Sequence, residues 1–242
     1  MENKKIADKD TVFIIGSGNS LNKVDMSKLA NHNTISMNRQ YIAYDDWGFI
    51  PTYYLIIDAQ LINTIHKDVE KLIKEESDIK KFFIMHHPQN QMAAWIDIMK
   101  KEKGDKIVKI HTGGSERFVT SGPDLDNKRM GFDGNAGACS VEVARSLGYK
   151  KVVLLGIDAK YTDRKESVKA NKDLSHFRSD YFDVNTFKQG VHQGPDGVNS
   201  GTKYWKLFSE QQKSMPDFEI ISSSPGSPIN EFLEYIEFDE LF

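Results

Sequence analysis

Cysteine is nearly missing from this sequence: Cys139 is the only one in 242 residues. No intrachain disulfide can form, and a reducing compartment is the natural setting. Excess charge is missing too. Lys and Arg total 32 against 35 Asp and Glu, a formal net charge of -3. No basic run interleaves with aromatics, which argues against nucleic acid as a partner. No stretch of about 18 consecutive apolar residues occurs, so no membrane-spanning helix is expected. The opening residues, Met-Glu-Asn-Lys-Lys-Ile-Ala-Asp-Lys-Asp, lack the apolar core of a signal peptide. These absences together predict a cytoplasmic protein, with peripheral contact at the inner face of the membrane left open. No internal repeat, low-complexity tract or domain boundary stands out, and the length suits a single domain over residues 1–242.

What the chain does contain is a series of short apolar runs, β-branched or aromatic, that read as strands. They are Val12–Ile15, Thr34–Met37, Tyr53–Ile57, Phe82–Met85, Ile107–Ile110, Val152–Leu155 and Phe218–Ile221. Runs such as Val-Phe-Ile-Ile are apolar at every position, as in a parallel sheet covered on both faces. Helical spacing fills several gaps. In Gln60–Glu75 the residues Leu61, Ile65, Val69, Leu72 and Ile73 share one face. Asn135–Leu147 and Lys203–Lys213 read similarly, and Pro228–Glu237 carries a weaker version. Strands alternating with helices predict an α/β, doubly wound fold with a mainly parallel sheet. Lys160–Gly201 breaks the rhythm: it is polar, holds little periodic pattern, and reads as a long lid-like loop between the sixth and seventh strands. His111–Gly134 is a shorter stretch of the same kind.

The residues just past the strands are Gly16, Asn38, Asp58, His86-His87, His111, Asp158 and Ser222–Ser224. In a parallel sheet these ends share one rim, where open α/β sheets place their ligands. The first turn, Gly16-Ser17-Gly18-Asn19-Ser20, resembles a dinucleotide fingerprint without its third glycine. Its glycines permit close backbone approach, and its amides and hydroxyls can face an anion. The acidic residue that would hold a nicotinamide-cofactor ribose is replaced by Asn38, whose amide suits a base edge or sugar hydroxyl without repelling phosphate. A second glycine-rich element, Gly131-Phe-Asp-Gly-Asn-Ala-Gly-Ala-Cys139, opens a helix of small residues whose first amides favour an anion or carboxylate. Cys139 in that helix reads as a small packing residue. No His/Asp/Glu spacing marks a metal site at His86-His87 or elsewhere. His176 and His192, in the polar stretch, are natural general bases at neutral pH, with Asp180 as a carboxylate alternative.

The order Gly16-Ser-Gly-Asn-Ser-Leu21, Asn38, Asp58 and Ala144-Arg-Ser-Leu-Gly-Tyr-Lys-Lys-Val-Val-Leu-Leu-Gly-Ile-Asp158 resembles the bacterial CMP-sialic-acid-dependent sialyltransferases of the lipooligosaccharide type. It is also similar to the motility-associated flagellin glycosyltransferases. The likeness runs from Val12 to about Leu233, with Ile220-Ile-Ser-Ser-Ser-Pro-Gly-Ser-Pro-Ile-Asn-Glu-Phe232 resembling the family's closing strand, turn and helix. It implies a Rossmann-like, metal-independent glycosyltransferase with no resident cofactor, a CMP-linked nucleotide-sugar donor, a glycan or glycoprotein acceptor, and a homo-oligomer. By position, Ser17, Gly18 and Ser20 would hold the nucleotide's phosphate and sugar, and Asn38 the nucleotide. Asp58 would lie near the donor, Gly134, Asn135, Ala136 and Gly137 would contact base and donor carboxylate, and Asp158 the ribose or cytosine region. Lys160 and Tyr161 would steady the departing phosphate. The chain departs from the family where an Arg-Ile-Thr-Ser-Gly run becomes Asp133-Gly-Asn-Ala-Gly137, and where Asp180 occupies the position of the catalytic histidine. The order of preference for the base is His176, then Asp180, then His192. Two other readings share the opening pattern: an ATP- and magnesium-dependent 6-hydroxymethylpterin diphosphokinase, and a non-catalytic nucleotide-sugar-binding module.

Overall fold

A computed structural model describes residues 6–112, 117–118, 122–132, 135–160, 164–182 and 198–242. Nine strands form one sheet: β1 (Thr11–Ile15), β2 (Asn33–Met37), β3 (Tyr53–Ile56), β4 (Lys81–Met85), β5 (Ile107–Thr112), β6 (Lys128–Met130), β7 (Lys151–Leu155), β8 (Glu219–Ser222) and β9 (Glu234–Tyr235). Their order across the sheet is β6-β5-β4-β3-β2-β1-β7-β8-β9, and every pairing is parallel. The apolar runs of β1 and β7 are buried at almost every position, as the sequence predicts for strands covered on both faces.

The helices are α1 (Tyr44–Trp47), α2 (Ala59–Glu75), α3 (Ala93–Lys103), α4 (Ala136–Ser146), α5 (Arg164–Ala170) and α6 (Val198–Gln212). The expected apolar face of α2 is the buried one, joined by Ile62, and Asp58 caps the helix by accepting the Leu61 amide at 2.9 Å. α4 packs across β1, β2 and β3, and its small residues are almost wholly buried.

The fold differs from the sequence reading at four places. β6 and β9 are additional strands, so the long polar stretch lies between β7 and β8. That stretch is not without helix, since it contains α5 and the start of α6. Pro228–Glu237 is not a helix but a 3-10 turn, Pro228–Glu231, followed by β9. α3 is an additional helix that the apolar spacing does not reveal, because only Ile96 and Met99 are buried along it and its apolar stripe is correspondingly thin.

The topology positions the site. The chain winds outward from β1 through β6 on one side, then returns to place β7 on the other side of β1. The connections therefore leave β1 and β7 in opposite directions, opening a crevice beyond their carboxyl ends.

Candidate functional site

A cavity of about 210 Å³ lies at this switch point. Its wall includes Gly16, Ser17 and Gly18 after β1, Asn38 after β2, Asp58 after β3, and Asp158 and Lys160 after β7. Asn135, Ala136 and Gly137 at the start of α4, His176 and Tyr181 from the stretch after α5, and Trp205 from α6 complete it. Most of the residues singled out from the sequence thus meet in one place. Asn19, Ser20 and Asp180 are not among the lining residues, and neither are His86 and His87 after β4 or His111, which lies within β5 rather than past its end. Tyr161, Gly134 and His192 lie outside the described residues.

The glycine turn is built around Asp158. Ser20 donates its amide to Asp158 Oδ2 at 2.9 Å and its hydroxyl to Oδ1. A Cβ on Gly18 would overlap that carboxyl group, and one on Gly16 would overlap the Gly156 carbonyl. Gly16 and Gly18 donate to Leu155 O and Gly156 O at 2.7 and 2.8 Å, carrying the β1–β7 pairing past the strands. Their glycine character is set by this close approach. The chain then enters a short 3-10 turn, Asn19–Lys23, and the Ser20 amide is taken up by a carboxylate of the protein itself. Asn19 serves elsewhere, donating to Leu174 O at 3.0 Å.

Asn38 adopts a left-handed backbone (φ 56°), which asparagine tolerates better than most residues. Its carbonyl accepts the Tyr54 hydroxyl at 2.6 Å. Its neighbour Gln40 is fully buried and ties two strand ends together, donating to Ile15 O at 2.6 Å and accepting the Met37 amide at 2.9 Å. Asn135 caps α4 by accepting the Ala138 amide at 3.2 Å. Lys160 donates to Gly226 O at 2.7 Å while bordering the cavity, and the Ser224 and Ser227 hydroxyls bind the Ile157 amide and carbonyl.

Three polar groups of lining residues are buried without a hydrogen-bond partner among the described residues: Asn38 Oδ1, the Tyr181 hydroxyl and Trp205 Nε1. The Tyr181 hydroxyl lies beside Ser17 without reaching hydrogen-bond geometry. Buried groups in this state each cost about 1–3 kcal/mol, a cost that a polar ligand removes.

His176 is held against the glycine turn. It forms an antiparallel bridge with Gly18, and the following amide, Phe177 N, donates to Ser17 O at 2.9 Å. Asn22 donates to Phe177 O at 3.1 Å, and Arg39 to Tyr181 O. His176 Nδ1 lies 2.7 Å from Asp173 Oδ2. Asp173 is absent from the candidates named from the sequence, although the three-residue spacing in Asp-Leu-Ser-His is a legible signal. Asp180 faces outward in a two-pronged ion pair, Arg178 Nε and Nη2 lying 2.9 and 3.0 Å from its oxygens. The Arg178 hydrogen bond holds its carboxyl below the usual carboxylate range. Asp180 is an ion-pair partner on the surface, poorly placed to accept a proton in the cavity.

His86 is buried beside Asp97, 3.4 Å from its Oδ1, with His111 edge-on at 5.7 Å. Among the described residues no group of three or more His, Cys, Asp or Glu is placed to hold a metal ion. Cys139 is fully buried in α4. No described helix is long and apolar enough to cross a membrane.

The strand order and helix layers define a Rossmann-like, doubly wound α/β fold with a cavity at its switch point. Comparison with known proteins agrees at the level of fold. A variant of the alpha-2,3/8-sialyltransferase CstII superposes with a TM-score of 0.51 at 15% identity, over 93% of this chain and 86% of that one. The Maf glycosyltransferase from Magnetospirillum magneticum AMB-1 superposes with a TM-score of 0.52 at 12% identity, over 99% of this chain. The chain spans only 37% of that protein. No protein-family model matches the chain, and no curated protein matches it in sequence.

Proposed function

We propose that the chain is a glycosyltransferase that moves a sugar from a CMP-linked donor to a hydroxyl of a glycan or protein. The observation that carries this reading is the cavity. It sits where doubly wound sheets bind nucleotides, it is lined by buried polar groups awaiting partners, and it has an imidazole in its wall. The fold shared with a sialyltransferase and a Maf glycosyltransferase supports the same reading.

In this reading Asn38, Tyr181 and Trp205 recognise the nucleotide and sugar, and Asp158, held by Ser20, shapes the floor between them. His176 accepts the proton of the acceptor hydroxyl. That oxygen forms a bond to the anomeric carbon as the bond to the phosphate oxygen breaks, its electron pair leaving with the phosphate through an oxocarbenium-like transition state. Lys160 and the first amides of α4 meet the charge that develops on the nucleoside monophosphate. A nonulosonic acid is the donor sugar implied by the sequence resemblance, and a cytoplasmic site of action, at the inner face of the membrane, fits a surface-glycan or flagellin acceptor.

Thermal shift with CMP, CDP, UDP, GDP and ATP, each with and without magnesium, tests the assignment. Stabilisation by CMP without metal is the expected result. Stabilisation by ATP and magnesium alone contradicts it and favours a diphosphokinase, while CMP binding without donor turnover leaves a binding module.

A further inference from the structure

We infer that Asp173 is a positioning residue of this site, its carboxylate setting the tautomer and ring orientation of His176. The inference rests on the reading of His176 as the base. Asp173 precedes His176 by three residues and is buried with it, each 7% exposed. One carboxylate oxygen meets His176 Nδ1 at 2.7 Å, and the other accepts the Ser175 amide at 2.9 Å. The backbone closes the turn, Asp173 N donating to Ser179 O at 2.9 Å.

Burial pushes the Asp173 carboxyl up, but the hydrogen bond and charge of His176, with the Ser175 and His176 amides, outweigh it and hold the group below its ordinary value of 3.8. Asp173 is therefore an acceptor. An acceptor-only neighbour requires the proton on Nδ1, so the neutral ring carries its lone pair on Nε2. The ring plane is fixed as well. Tyr181 stacks on it at 4.6 Å and 22°, and Phe182 meets it edge-on at 5.0 Å and 83°. Carboxylate, imidazole and both aromatics lie within ten residues of chain, 173–182, and the bridge to Gly18 seats that stretch against the glycine turn.

The test combines spectroscopy with kinetics. In ¹⁵N-histidine-labelled protein, with the His176 signals assigned by their loss in His176→Gln, Nδ1 should be protonated and Nε2 not. Asp173→Asn keeps the size of the side chain but can present an N–H to Nδ1, which favours the opposite tautomer. Release of CMP from a CMP-linked nonulosonate should then fall about 10²-fold or more. The donor KM should stay within about twofold, as expected when only transition-state stabilisation is lost. Asp173→Glu, which retains the charge, should recover part of the rate. A ring protonated on Nε2 in the unmodified protein overturns the inference, even if Asp173→Asn fails to fold. If His176→Ala abolishes release while Asp173→Asn leaves it intact, Asp173 has no positioning role and the transferase reading stands. If His176→Ala releases CMP as fast as the unmodified protein, the base assignment falls, and this inference with it.

Discussion

Gly18 lacks a side chain because the Asp158 carboxyl group fills the space one would occupy. Gly18→Ala should push Asp158 away from Ser20 and cost about 1–3 kcal/mol of stability, the usual range for overpacking, with loss of the CMP thermal shift. Tyr181→Phe makes a sharper test, since it removes one buried, unpartnered hydroxyl and keeps the ring that stacks on His176. The free protein should gain about 1 kcal/mol in a denaturant titration, while CMP or donor affinity falls about five- to tenfold. A mutation that stabilises the free protein and weakens binding is the signature of a group held in reserve for a ligand. Asp180→Asn should leave turnover within about twofold, because exposed ion pairs contribute little. Residues whose chemistry stands out in the sequence, Gly18, Asn38 and His176, all line the cavity. The sequence does not reveal that the Ser20 amide and hydroxyl, expected to face a phosphate, both donate to Asp158. The two fates of a serine amide differ only in what the fold brings to it.

α4 carries the least expected support of the site. Its Glu142 is fully buried and accepts the Gly131 and Phe132 amides at 2.8 and 3.2 Å, anchoring the chain just ahead of the Asn135 cap. Glu142→Ala strands both amides and should cost about 3 kcal/mol, measured by chemical denaturation. The end of β4 responds to pH instead. Burial holds His86 below its ordinary value of 6.5; Asp97 opposes this, while Lys109 and His111 reinforce it. The unfolded chain therefore binds a proton on this side chain more readily than the folded one, and stability should decline as pH falls below about 6.5. His86→Gln should flatten that slope, and an unchanged slope would remove His86 as its source. Element type is readable where apolar spacing is strong, as in α2. It is not readable at Pro228–Glu237, where the mixed polarity of a 3-10 turn followed by a two-residue strand imitates a weak helical period.

Over the whole molecule, function depends on strand order, which local pattern does not contain. The strand ends can be read from the sequence as a polar rim, but the return of β7 to the flank of β1 decides which ends share a cavity. Gly16, Asn38, Asp58 and Asp158 fall inside it, whereas His86, after β4, and His111, within β5, belong to strands further along the sheet. The same fold brings His176, bridged to Gly18, and Trp205, distant in sequence, to the cavity wall. Group transfer on a bound nucleotide sugar is the function we propose for this cavity. The most direct measurement tracks CMP release from a CMP-linked sugar by the unmodified protein and by His176→Ala, with CMP binding measured for both. Release by the unmodified protein is expected, with a loss of about 10²-fold or more in the variant and binding preserved. Equal rates in the two proteins, or binding confined to ATP with magnesium, would contradict it.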